Sequence, residues 1–262
     1  MQPRVLILHA PGTNRDREAA LACQLAGGVP EIVAVDRVVA GDRKLADYQM
    51  LLLPGGFSFG DDLGAGKLWS IALRDGLGDQ LQAFVAAGRP VMGICNGFQA
   101  LVKAGLLPGD TSADPVQRVT LTRNDSARFE CRWVTLRPEP DSPCVFTRGL
   151  TDDLLIQCPV AHGEGKIAAR DDTVRDAMGT HRLAALRYVS PDGSAATYPF
   201  NPNGSEGDIA GLTNPAGNVL GLMPHPEDHI VARQHPRFHR GERGGLGLVL
   251  FEAGIKYAAE AA

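Results

Sequence analysis

Four stretches of this chain carry apolar side chains at almost every position: residues 5–8, 32–35, 50–53 and 90–94. A strand with one face in water alternates apolar and polar residues. Uninterrupted runs of this length therefore belong in a sheet covered on both faces. Helix-period stretches lie between them, at 15–25, 79–87 and 96–104. Leu81, Phe84 and Val85 share one helix face, and Phe98, Leu101 and Val102 share another. Strands and helices in alternation give βαβ units, so the chain is predicted to be α/β with a parallel sheet. From about residue 116 the texture changes, and residues 129–136 alternate like an antiparallel, half-exposed strand. Further strands are expected at 184–189 and 219–223, with a closing helix at 246–259. There is no repeat, low-complexity tract or linker, so one domain over 1–262 on a mixed sheet is expected.

Composition narrows the function. A chain of 262 residues with 44% hydrophobic and 21% charged residues can bury a full core without staples. A formal net charge of -4 argues against nucleic acid or an anionic membrane as partner. No segment is long and apolar enough to span a bilayer, and the run at 5–8 is too short for a signal peptide. The expected compartment is the cytoplasm. The five cysteines, Cys23, Cys95, Cys131, Cys144 and Cys158, are odd in number and scattered, with no C-x-x-C pair. That pattern suits neither a disulfide framework nor structural zinc, and leaves room for a nucleophile.

The strongest local candidate is Cys95, in Gly93-Ile94-Cys95-Asn96-Gly97. A buried strand runs straight into a helix there, the form of a nucleophile elbow with sulfur in place of hydroxyl. The glycines permit a tight, strained turn, and the helix N-terminus favours the thiolate. The backbone N–H of Asn96 can face a developing oxyanion. A base and its orienter are offered by Met223-Pro224-His225-Pro226-Glu227. If the flanking prolines keep this segment extended, His225 and Glu227 point the same way and the carboxylate fixes the imidazole. The Gly-rich loop Pro54-Gly55-Gly56 follows a strand and can supply a second oxyanion donor. Within it, Gly56-Phe57-Ser58-Phe59-Gly60 matches the serine-hydrolase elbow, but the helix that should follow Ser58 is missing. Gly60 to Gly66-Lys67 falls short of a P-loop: the spacing is one residue too long and Leu68 replaces Ser or Thr. Ala161-His162-Gly163-Glu164-Gly165 reads as a turn or a substrate-contacting loop. Among His225, His229, His235 and His239, Pro236 breaks the helical spacing a metal pair needs, so no metal is expected.

Together, the Cys95 elbow and Pro224-His225-Pro226-Glu227 resemble the class I, or triad, glutamine amidotransferases. Longer stretches narrow the likeness: Pro54-Gly55-Gly56-Phe57-Ser58-Phe59-Gly60-Asp61, Gly97-Phe98-Gln99, the 161–165 loop, and Asn203-Gly204-Ser205 through Ile209-Ala210-Gly211. They resemble the separate glutaminase subunits of phosphoribosylformylglycinamidine synthases, over nearly the whole chain. The resemblance implies a doubly wound, mostly parallel sheet. It implies Cys95 as nucleophile, His225 as base, Glu227 as orienter, and oxyanion donors at Gly56 and Asn96. Gln99, His162 and Gly163 would then surround the substrate glutamine. Ammonia released through a Cys95 thioester would serve a large synthetase subunit, joined by a small bridging subunit. That partner would make formylglycinamidine ribonucleotide for purine biosynthesis and would hold ATP and magnesium, with no cofactor on this chain. An amidotransferase serving another acceptor and a serine hydrolase using Ser58 are the alternatives. The chain departs from the family's common pattern at Asp228, where arginine is frequent, and in the His- and Arg-rich tail over 234–247.

Overall fold

The computed structural model describes residues 2–109 and 116–261. Its first part alternates as expected: β1 (Arg4–His9), α1 (Asp16–Leu25), β2 (Val29–Ala34), α2 (Val35–Val39), β3 (Met50–Leu53), α3 (Lys67–Ile71), α4 (Leu77–Ala86), β4 (Val91–Ile94) and α5 (Asn96–Lys103). The later part is strand-rich: β5 (Val119–Thr122), β6 (Glu130–Pro138), β7 (Ile156–His162), β8 (Lys166–Ala169), α6 (Asp172–Thr180), β9 (Ala184–Val189), β10 (Ile209–Thr213), β11 (Val219–Leu222) and α7 (Leu248–Glu260). Nine strands form one sheet in the order β2-β1-β3-β4-β11-β10-β9-β6-β7. The five from β2 to β11 pair in parallel and the remaining four join antiparallel. Strands β5 and β8 make a separate two-stranded sheet.

The apolar runs become the central strands. All four residues of β3, β4 and β11 are buried. Helices cover both faces: the Met50 end of β3 lies near Gly254 of α7, whereas Leu53 lies against Gly97 of α5. Positions three apart in a strand point opposite ways, so α7 and α5 sit on opposite sides and the sheet is doubly wound. The run expected as a strand over 32–35 is displaced. The strand is Val29–Ala34, and Val35 already begins α2. Because β2 is the outer edge, only Val33 is buried, and the polar Glu31 in its middle hides it from an apolar pattern. Among the described residues no helix is long and apolar enough to cross a membrane.

Three neighbouring parallel strands end at one rim of the sheet. Leu53 of β3 runs into Pro54-Gly55-Gly56, Ile94 of β4 into Cys95, and Leu222 of β11 into Met223-Pro224-His225. The carboxyl edge of an open α/β sheet is where ligands bind.

Candidate active site

Cys95 sits between β4 and α5 with φ 50° and ψ −105°, outside the usual basins for a residue with a side chain. Tight packing holds it there. A Cβ on Gly97 would stand 2.1 Å from the Leu53 carbonyl oxygen, and one on Gly93 would stand 2.5 Å from Leu101 Cδ1. Only glycine lets the elbow seat this closely against β3 and α5. Cys95 is 6% exposed, and its Sγ lies 3.7 Å from the Ala161 carbonyl of β7.

His225 stands beside it. The His225 N–H of the backbone donates to the Pro159 carbonyl at 2.8 Å, tying the segment after β11 to β7. Its ring Nδ1 is 2.7 Å from Glu227 Oε1, both side chains being buried. The prolines do not keep this segment extended. Pro226–Asp228 is a 3-10 turn with Pro226 at its start, and the turn itself carries Glu227 back under the imidazole. Burial works against a charged His225 ring, but the Glu227 carboxylate and the hydrogen-bonded Cys95 sulfur outweigh it and hold the imidazole well above its ordinary pKa. Glu227 Oε2 is buried without a partner among the described residues, so the ring is the main compensation for that carboxylate. Gly55 is part of the same packing, since a Cβ there would lie 2.6 Å from His225 Cε1 and 3.5 Å from Cys95 Cβ.

The Gly-rich loop is fixed from behind. The Gly55 carbonyl accepts from the backbone N–H groups of Asn14 (3.3 Å) and Arg15 (3.2 Å), and Phe57 N–H donates to the Gly12 carbonyl. A trans peptide sets its N–H opposite its C=O, so the Gly56 N–H faces away from the 13–15 segment. None of the hydrogen bonds pinning the loop uses it. Asn96, first in α5, has no acceptor a turn earlier for its N–H. Its side chain clamps the loop instead: Oδ1 accepts from Ser58 N–H at 3.0 Å, and Nδ2 donates to Asp61 Oδ1 at 2.8 Å and Gln99 Oε1 at 3.1 Å.

A cavity of about 210 Å³ opens over Cys95, with Gly56, Phe57, Gln99, Phe129, His162, Gly163 and Glu164 in its walls. The residues predicted around a substrate therefore converge. Gln99 and His162 do so as wall supports. Gln99 Nε2 donates to the Glu164 carbonyl at 2.7 Å. His162 is buried, and burial pushes its pKa down to about 3, so the ring is neutral. Asn124, which no sequence motif marks, holds this wall. Its N–H donates to the Gly163 carbonyl, its Nδ2 to the His162 carbonyl, and its Oδ1 accepts from Gly165 N–H and from His162 Nδ1. Asn124 is 38 to 41 positions from these partners.

Ser58 offers no comparable arrangement. It is buried, its Oγ lies 2.9 Å from Thr13 Oγ1, and positive φ at Phe59 and Gly60 replaces the helix an elbow needs. His229 and His235 turn to Gln157 and pack edge-on against Trp133. His225, Glu227 and Asp228 bring donor atoms within 4.8 Å of one another. A cation there would displace the His225–Glu227 bond and the Asp228–Arg15 pair.

A family model described as a CobB/CobQ-like glutamine amidotransferase domain matches residues 2–258. The phosphoribosylformylglycinamidine synthase subunit PurQ of Treponema denticola is 45% identical, covering 98% of this chain and 99% of its own. The chain belongs to the PurQ family of glutamine amidotransferases. The PurQ subunit of Dehalococcoides mccartyi is 42% identical over 97% of each chain. The solved PurLQS structure from Thermotoga maritima matches with a TM-score of 0.73 and 33% identity, covering 98% of this chain and 99% of that one. The fold and elbow described above are thus those of a PurQ-family chain at nearly full length.

Proposed function

We propose that this chain, as one amidotransferase unit over 1–262, is the glutaminase subunit of a phosphoribosylformylglycinamidine synthase. Cys95 is its nucleophile, His225 its base and Glu227 its orienter. The carrying observation is the buried line from Glu227 through His225 to Cys95, with Cys95 and Gly56 both in the wall of one cavity. The raised His225 pKa favours an imidazolium beside the Cys95 sulfur. The thiolate adds to the carboxamide carbon of glutamine, and the two backbone N–H groups take the oxyanion. His225 passes its proton to the departing ammonia, leaving a γ-glutamyl thioester on Cys95. It then draws a proton from water, which attacks the thioester and releases glutamate. Gln99, His162 and Gly163 shape the wall that holds the amino-acid end.

The ammonia is consumed by a large synthetase partner, with a small bridging subunit in the complex. ATP and magnesium act on that partner, where formylglycinamide ribonucleotide becomes the amidine. The setting is cytoplasmic purine biosynthesis. Reconstitution with the synthetase tests this reading: Cys95→Ala should abolish glutamine-dependent synthesis and leave ammonia-dependent synthesis intact. Glutamine-dependent product from that variant would end the assignment.

A further inference from the structure

Two segments meet near Cys95, and Arg15 links them. The 13–15 segment ends at Arg15, whose backbone N–H is one of the two that fix the Gly55 carbonyl and so aim the Gly56 N–H. The 226–228 turn carries Glu227 under His225. The Arg15 side chain crosses between them, with its Nε 3.3 Å from Asp228 Oδ2. Its Nη1 is 3.8 Å from Glu18 Oε1, a longer contact on the solvent side of α1.

The surroundings of Asp228 make its charge expensive. Its side chain is 22% exposed. Glu227 and His225 face it from its own turn, Arg15 and Glu18 from the start of α1, and Cys158 of β7 lies within its field. Burial and the Glu227 charge push its carboxyl up to about 6, against the pull of His225 and Arg15. An asparagine would fill the same volume without that penalty. What the carboxylate adds is an anchor for Arg15.

We propose that the Arg15–Asp228 ion pair is a positioning tether that fixes the Gly56 N–H relative to the His225–Glu227 couple, so that the oxyanion donor and the acid–base pair act on the same amide carbon. This rests on the roles given above to Cys95, His225 and Glu227. Neither tether residue lines the cavity, so both are positioning residues. The oxyanion is absent from the bound amide and develops only on the way to the tetrahedral intermediate, while the ground-state amide is held by the cavity walls. Loosening the tether therefore acts on kcat and spares KM.

The test measures glutamate release by the chain in complex with its synthetase partner, for Arg15→Gln, Asp228→Asn, the double variant, Arg15→Lys and Cys95→Ala. Each single neutral variant is expected to lose about tenfold in kcat with KM within about twofold. The double variant should be no slower than the worse single one, because both break the same contact. Arg15→Lys should recover most of the rate. Thermal melting should show Asp228→Asn at least as stable as wild type, separating lost positioning from lost folding. The tether is overturned if both single variants keep kcat within about twofold of wild type, or if their losses multiply in the double variant. It is also overturned if the loss appears in KM alone. Activity in Cys95→Ala would instead overturn the catalytic assignment beneath it.

Discussion

At the scale of single residues, the site depends on what is missing as much as on what is present. A methyl group on Gly97 would press into the Leu53 carbonyl of β3. Gly97→Ala should cost about 1–3 kcal/mol in denaturant unfolding and should lower kcat by moving Cys95 off its strained turn. Asp228 gives a second prediction, through pH. Its folded pKa, about 6, lies above its ordinary value of 3.8, so between those values the folded chain holds a proton the unfolded chain has lost. That contribution is present in full below the unfolded value and is lost as pH rises through the folded one. Asp228→Asn should therefore match wild type near pH 4 and exceed it above pH 7, by at most about 3 kcal/mol in urea titrations at the two pH values. The Cys95 turn was legible because a buried strand runs straight into a helix with glycines on either side, whereas the His225–Glu227 pairing was read from an extended segment and is made instead by a 3-10 turn. Gly55 was not singled out as a packing position, because what it avoids, the His225 ring, is 170 positions away in the chain.

At the scale of elements, the runs at 50–53 and 184–189 are strands at those bounds because continuous or strongly apolar stretches leave little freedom in where a strand starts. Helix α6 was missed. It buries only Val174 and Met178 and carries Gly179 near its end, so its apolar stripe is too thin to read. The motif at 161–165 reads from sequence as a turn or a substrate-contacting loop, but nothing in it points to what supports it. Asn124 holds that wall with both ends of its amide and its own backbone N–H. Asn124→Ala should leave the elbow intact and loosen the wall, raising KM for glutamine about tenfold or more with a smaller change in kcat. Steady-state kinetics over glutamine concentration would show the split. An unchanged KM would mean that the wall holds its shape without the amide.

At the scale of the whole molecule, the antiparallel half of the sheet does more than widen it. Strand β7 is last in the hydrogen-bonded order, five places from β4. Yet its Pro159 carbonyl takes the His225 N–H and its Ala161 carbonyl reaches the Cys95 sulfur. The β7 edge thus returns to the loops that follow the central strands β4 and β11, and no local pattern in the sequence encodes that return. Helix α7 closes the opposite face, and its Phe251 is fully buried. Phe251→Ala should cost about 3–5 kcal/mol in global stability, read as a shift in the denaturant midpoint with little change in slope. The two N–H groups on the Gly55 carbonyl carry a last consequence. They lock the orientation of a single peptide plane, and a half-turn of that plane would present an oxygen lone pair where the Gly56 hydrogen now points. If the Gly56 N–H is the oxyanion donor proposed above, a flip of this one peptide would remove it, and the hydrogen bonds from Asn14 and Arg15 hold the plane against that flip.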